Sequence, residues 1–276
     1  MNVLSWLLYP ALMGGAVGGA WWAARAGAPA ALVLVAVQVT ISVTIGALER
    51  IMPEHRSWNR PRADIKTDAL YFAVSGVVIA GTLRAAIFAY SPSLGIWPTR
   101  WPALAQLVLA LALADVATYV THVVEHRAAW LWPFHAPHHS AKRLYWLNAT
   151  RMHPVDQLLT VVLSLLPLAT LGVQPDVLVL FDAYAVTHLT VQHSNVRLRH
   201  GWLNHLVATA EFHRWHHSPI RGEGERNYAS FFSIWDHVFG TFRMPKGEQA
   251  SEDVGLYDGA TLPDDFRGQM RAPFQG

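Results

Sequence analysis

Long uninterrupted apolar runs constrain this chain more than any other feature. A bilayer-spanning helix needs about 20 such residues, and runs of that kind occupy residues 4–24, 30–48, 69–90 and 101–121. A fifth, 158–193, is too long for one helix and is interrupted at 172–176, so it reads as two short helices forming a hairpin. Each half is near the lower length limit for a crossing. Whether the pair crosses or enters and returns, the chain comes back to the side it left. Apolar residues at 52% and charged residues at 14%, with a mean hydropathy of +0.21, fit neither a water-soluble globule nor a disordered chain. The expected fold is all-α: a membrane bundle of about four to six helices, the last pair a short hairpin, under a cytoplasmic helical cap.

Basic residues set the orientation, because Lys and Arg concentrate in short cytoplasmic loops. The loop after the second run carries Arg50, Arg56, Arg60, Arg62 and Lys66, and the segment after the fourth carries Arg127, Lys142, Arg143 and Arg151. The opposite side holds little besides Arg25 and Arg100, and Trp21, Trp22, Trp97 and Trp101 fall where an outer aromatic belt belongs. Arg84, near the outer end of the third run, is expected to snorkel to that interface. Both termini are therefore expected in the cytoplasm. Met1 is followed by no basic stretch, so the first run reads as a retained helix and not a cleaved leader. Its Gly14/Gly18 and Gly15/Gly19 pairs permit close helix packing.

The chain has no cysteine, which excludes disulfides, thiolate-bound zinc, iron–sulfur clusters and thiol catalysis. A formal charge of +2 with no basic stripe excludes nucleic acid as a partner. Histidine is the anomaly: ten of the fifteen fall into tight groups. His122 and His126 lie four apart at the cytoplasmic end of the fourth run. His135, His138 and His139 form HxxHH, as do His213, His216 and His217. His188 and His193 close the hairpin. All four groups map to the cytoplasmic face or just beneath it.

Residues at i, i+3 and i+4 share a helix face, so each HxxHH aims three imidazoles at one volume. Ten neutral nitrogen donors suit two divalent ions with about five each, and imidazole serves Fe, Zn, Cu and Ni alike. His188 and His193, about 140° apart on an ideal helix, need a helix end or a π-bulge to converge. His55, His200, His205 and His237 read as hydrogen-bonding residues, and His153 as either a supporting or a structural one. Glu-x-x-His pairs, HExxH, GxSxG, Walker A and GxGxxG motifs are absent.

In order, His122-x-x-x-His126, His135-Ala-Pro-His138-His139, Arg151-Met-His-Pro154, Gln192-His193-Ser194-Asn195, His213-Arg-Trp-His216-His217, Asn227-Tyr228 and the run from Ile234 to Thr241 resemble the fatty acid hydroxylase/sterol desaturase superfamily of integral-membrane di-iron oxygenases. Asp115 and Tyr119 fit the same pattern. Two departures are visible: His237 stands where the family usually carries Arg, and Ala229 where it carries Gly. The likeness covers about residues 48 to 245. It implies a single domain, with N-terminal membrane helices over 1–48, the family core over 49–245 and an irregular tail over 246–276.

The resemblance implies that the ten clustered histidines hold two Fe ions, in a nitrogen cage that would also accept zinc in a preparation. It makes Asn227 and Asp236 candidates for a supporting layer, and it lets Asp115 and Tyr119 line or brace the substrate's route. It further implies O₂-dependent hydroxylation of an unactivated C–H bond of a lipophilic substrate in lipid or sterol-type biosynthesis. Desaturation would follow from a second hydrogen abstraction. Sterols or hopanoid-like lipids, fatty acyl or sphingolipid chains and carotenoids are all candidate substrates, a carotenoid hydroxylase being the nearest alternative. With no flavin or nicotinamide motif and no cysteine, electrons are expected from a separate ferredoxin or small cytochrome, docking on the basic cap around Arg197, Arg199 and Arg221. Arg far exceeds Lys and Ala is abundant, which points to a bacterial inner membrane. A competing class is a Zn²⁺ or proton transporter. Such sites, however, sit near the bilayer midplane and commonly include acidic ligands, whereas these clusters lie at the interface with no carboxylate among them.

Overall fold

The computed structural model describes residues 3–275. In hydrocarbon every backbone N–H and C=O must find a partner inside its own segment, and the apolar runs accordingly become helices. They are α1 (Leu4–Arg25), α2 (Ala30–Ile51), α3 (Ile65–Tyr90), α4 (Ala103–Arg127), and, after a short α5 (Trp132–His139), α6 (Pro154–Leu171) and α7 (Pro175–His193). The six long helices run in three consecutive pairs joined by short connections; α1 and α2 pack together, whereas α6 packs on α3 and α4, and α4 also on α7. α2, α3, α4 and α6 are long and apolar enough to cross a bilayer. Among the described residues there is no strand, only an isolated bridge between Pro53 and Val196.

α7 is the central helix, packed against α1, α2 and α4. It is buried on all sides: Val177 to Phe181 and Ala183 in its first half, Thr187, His188, Thr190, Gln192 and His193 in its second. Those polar side chains face protein and so are spared contact with lipid. Outward faces are apolar, as along Leu32, Val35, Val39 and Val43 of α2, which are all more than half exposed.

The break in the fifth run forms as a tight turn, after which α6 and α7 pack on α4 and not on each other. Gly172 ends α6 in the left-handed conformation (φ +86°), its N–H shared between Leu168 O and Ala169 O, and Pro175 opens α7. A Cβ at Gly172 would lie 2.5 Å from Ser93 Oγ. At 18 and 19 residues, α6 and α7 are each about 27–29 Å long, close to the thickness of a bilayer core. α3 contains a π-helical segment, Phe72–Ile79, where it meets the loop leading into α6. There Ser75 Oγ donates to Met152 O (2.7 Å), and a Cβ on Gly76 would lie 2.9 Å from Thr150.

Two expectations about the outer half are corrected. Arg84 does not snorkel; it is ion-paired with Asp182 of α7, inside the bundle. Trp97 does not join an aromatic belt; it is 5% exposed and its indole N–H donates to Gln106 Oε1 (2.7 Å), whereas Trp22 and Trp101 are exposed.

The cap is built of loops and short helices, among them α8 (Ala210–His216) and α9 (Ile234–Phe239), and it is tied to the bundle by buried polar contacts. Glu49, at the end of α2, accepts from the backbone N–H groups of Trp146 (2.8 Å) and Asn195 (3.0 Å). Asp115 of α4 accepts from three successive N–H groups, Ser230, Phe231 and Phe232 (2.7–3.0 Å). The tail is irregular as far as residue 256, then departs from expectation. It ends in α10 (Phe266–Arg271), capped by Asp265, and it is anchored: Trp58 Nε1 donates to Glu252 O, Thr67 Oγ1 to Asp264 O and Tyr71 Oη to Gln269 Oε1.

Candidate metal centre

At the cap end, nine histidines form two adjoining groups: His122, His126, His135, His139 and His216 in one, His138, His193, His213 and His217 in the other. Within each, one nitrogen per ring lies within 4.8 Å of the others. That spacing suits ligands at about 2.1 Å from a shared cation, since donors on opposite sides of it are then about 4.2 Å apart. The two HxxHH motifs interleave. The first sends His135 and His139 to one group and His138 to the other, and the second sends His216 to the first group and His213 and His217 to the second. α4 contributes His122 and His126 one turn apart, both to the same group.

Outer partners fix the tautomers in the five-histidine group. His122 Nδ1 faces Tyr228 O (2.7 Å), His216 Nδ1 faces Arg226 O (2.8 Å) and His135 Nδ1 faces Asp156 Oδ2 (3.0 Å). Each of these acceptors requires the proton on Nδ1, which leaves Nε2 as a bare lone pair pointing inward. The bare Nε2 atoms of His122 and His135 are 3.1 Å apart, and His216 Nε2 is buried with no hydrogen-bond partner. Lone pairs repel at that distance unless a cation lies between them. His126 Nε2 and both ring nitrogens of His139 are likewise buried and unpartnered, while Tyr257 Oη reaches His126 Nδ1 (3.1 Å).

In the four-histidine group, Nε2 of His213 is 2.9 Å from that of His193 and 3.0 Å from that of His217. Burial, and then the charge that neighbouring imidazoles would carry, holds His138, His139, His213, His216 and His217 well below the usual histidine range. They therefore stand as neutral donors. This donor set fits two divalent cations.

The remaining candidates lie elsewhere. α7 is regular between His188 and His193, so the two point apart. His193 enters the four-histidine group, while His188 Nδ1 meets Tyr9 Oη (2.8 Å) and its Nε2 donates to Ser230 O (2.9 Å), so both nitrogens are committed outside either group. Asp236 accepts from the N–H groups of Tyr228 (2.8 Å) and Ala229 (2.9 Å). Asn227, at φ +59°, bonds Phe212 O and both N and O of Arg243. Neither side chain hydrogen-bonds a clustered histidine. Both shape the loop whose carbonyls, at 226 and 228, orient His216 and His122. Tyr119 braces the same loop through Thr241 Oγ1 (2.8 Å), and His153 caps α6 by accepting from Val155 N. Of the basic cap residues, Arg199 is held by Glu54 and Arg221 by Glu225 and Asp258, leaving Arg197 the most available.

Sequence reasoning missed two carboxylates. Asp156 bonds His135, and Glu125 Oε2 lies 3.6 Å from the same ring nitrogen, so two carboxylates stand beside the five-histidine group although its members are all histidines. The signal for Glu125 was present, since it sits at i+3 from His122 on one helix face. Nothing in the spacing around Asp156 links it to a histidine 21 positions earlier. A cavity of about 90 Å³ opens onto both groups, bordered by Thr118, Met152, Thr160 and Leu189.

The fold and site define a polytopic helical membrane protein with two adjoining histidine groups, each able to hold a metal ion, at one end of its bundle. The sequence profile for fatty acid hydroxylase matches residues 107–241. Ornithine lipid hydroxylase OlsE of Rhizobium tropici is 32% identical over 282 residues, covering 98% of this chain and 84% of that protein. Alkylglycerol monooxygenase of Homo sapiens is 31% identical over 128 residues (46% of this chain, 28% of that protein), and cholesterol 25-hydroxylase of Rattus norvegicus 27% over 163 (56% and 53%). No solved structure matches. The chain belongs to the fatty acid hydroxylase family, and it is an oxygenase enzyme that hydroxylates lipid C–H bonds.

Proposed function

We propose that this oxygenase holds an iron ion in each histidine group and uses O₂ to hydroxylate a membrane lipid with an amino-acid headgroup. The likeness over nearly the whole chain to a protein named as an ornithine lipid hydroxylase carries the substrate class. Hydroxylation is favoured over desaturation because the relatives are named as hydroxylases and monooxygenases. Iron, when bound, supplies O₂ activation and hydrogen abstraction from an unactivated C–H bond.

The chain's own residues position and protect. Thr118, Thr160 and Leu189 border the cavity about one helical turn deeper in the bundle than His122, Asp156 and His193, so a lipid arriving from the bilayer meets them first. Asp156 holds the His135 proton on Nδ1 and so keeps Nε2 available as a donor. Asp156→Asn is expected to weaken metal binding by the five-histidine group about 10–100-fold, read by competition with a chelator. Parent-like affinity would remove Asp156 from this role.

The metal end is assigned to the cytoplasmic face of a bacterial inner membrane, supported by the basic loops at that end and a bacterial relative. Because the chain lacks cysteine, a Gln249→Cys variant should react with a membrane-impermeant maleimide only after lysis, and Leu94→Cys in intact spheroplasts. The reverse pattern would invert the topology. Electrons are supplied by a separate ferredoxin or small cytochrome. The deciding assay reconstitutes the iron-loaded protein in nanodiscs containing ornithine lipid, with a reduced ferredoxin and ¹⁸O₂. Lipid that gains one ¹⁸O atom, dependent on the donor, supports the reading. Unmodified ornithine lipid beside another oxygenated bilayer lipid would reject the substrate class.

A further inference from the structure

The two histidine groups are related by an approximate exchange of roles, and the exchange is incomplete. Each group takes two rings from one HxxHH motif and one from the other. α4 then adds a pair one turn apart, His122 and His126, to the first group, whereas α7 adds His193 alone to the second. The position on α7 matching the missing partner, four residues before His193 on the same face, is Leu189. Leu189 borders the cavity together with His138, His193 and His213. Gln192, the polar residue next to His193 on the cavity wall, does not substitute: its amide nitrogen donates to Ala208 O (2.7 Å) and Ser230 O (3.2 Å). His188 is committed to Tyr9 and Ser230.

We infer that Leu189 keeps one coordination position open on the ion held by His138, His193, His213 and His217, and that small exogenous ligands bind there, on the cavity side. The ion of the five-histidine group is correspondingly the closed and more tightly held one. This inference rests on the reading that the histidines bind metal. It does not depend on the identity of the lipid.

The experiment uses Co²⁺, whose visible absorption reports coordination number, with azide as the exogenous ligand on the full-length protein in detergent. The parent is expected to bind two Co²⁺ with unequal affinity, and azide should alter the spectrum of the weaker one. Leu189→His should tighten the weaker site by at least about tenfold, the scale on which even outer-layer partners shift metal affinity, and should abolish the azide response. Leu189→Ala should leave both affinities and the azide response in place. As a check independent of Leu189→His folding, His193→Ala should lose the azide-responsive ion and His126→Ala should keep it. An azide response that persists in Leu189→His, or that follows His126 in place of His193, would overturn the inference. Cobalt bound at neither group would sink the metal cage itself, an outcome distinct from failure of the lipid assay.

Discussion

The combined substitution His138→Ala, His216→Ala is expected to strip the protein of metal after a brief chelator wash, whereas the parent keeps about two ions per chain. Each of these histidines is the single ring that its HxxHH motif sends across to the opposite group. Without His138 the second group falls to three donors. Without His216 the first loses a ring whose tautomer is fixed by Arg226 O and whose inward Nε2 has no other partner. The single variants should differ: His138→Ala releases one ion readily, while His216→Ala, with four donors left, holds its ion but more weakly. Elemental analysis of detergent-purified protein from iron-supplemented cells, read beside lipid hydroxylation, checks both statements. Parent-level metal in the double variant would remove the basis for the cage. Two zinc ions lost in the same way would uphold the cage and leave the iron assignment to the oxygen assay.

Arg151→Ala is expected to be the most destabilising substitution outside the histidines, at about 3–5 kcal/mol. Arg151 is 5% exposed and pairs with the fully buried Asp68 (2.6 Å), whose other oxygen accepts from Tyr145 Oη (2.8 Å). Removing the guanidinium strands a buried carboxylate. The same guanidinium also donates to Pro137 O (3.0 Å) and Ser140 Oγ (3.1 Å), at the end of α5, the helix that carries His135, His138 and His139. Loss of stability and loss of metal should therefore appear together. Arg151→Lys cannot reproduce three divergent contacts and should recover only part of either. Thermal aggregation midpoints in detergent, with metal content, give the test. A variant as stable as the parent would mean that Asp68 finds another partner or is held neutral.

The order of helices and turns was legible because its cause is local. Runs of apolar residues near 20 long can satisfy their backbone in lipid only as helices, and Gly172 and Pro175 carry the turn between α6 and α7 in their own backbone preferences. Local reasoning failed where a partner distant in sequence decides. Arg84 was expected to reach for the interface because it lies near the end of its run; Asp182, from another helix, pairs with it instead. Trp97 was placed in an aromatic belt, but the loop carrying it folds back onto the end of α6, with its N–H donating to Leu171 O, and buries the ring. The tail read as irregular because its anchors are residues such as Trp58 and Tyr71, nearly 200 positions away.

The candidate site divides in the same way. Spacing alone determined that the histidines would converge, since i, i+3 and i+4 positions share a helix face and the four groups sit at the ends of runs that return to one side. It also marked His188 and His193 as an awkward pair, because five residues turn a helix through about 140°. Only the tertiary structure decided which ring serves which group, that His188 turns to Tyr9 and Ser230, and that Glu125 and Asp156 stand behind His135. The physical reason is that helix periodicity fixes the direction of a side chain relative to its own helix and nothing else. How the helices are rotated against one another, and which backbone carbonyls come to face which ring nitrogens, is settled by packing between segments far apart in the chain.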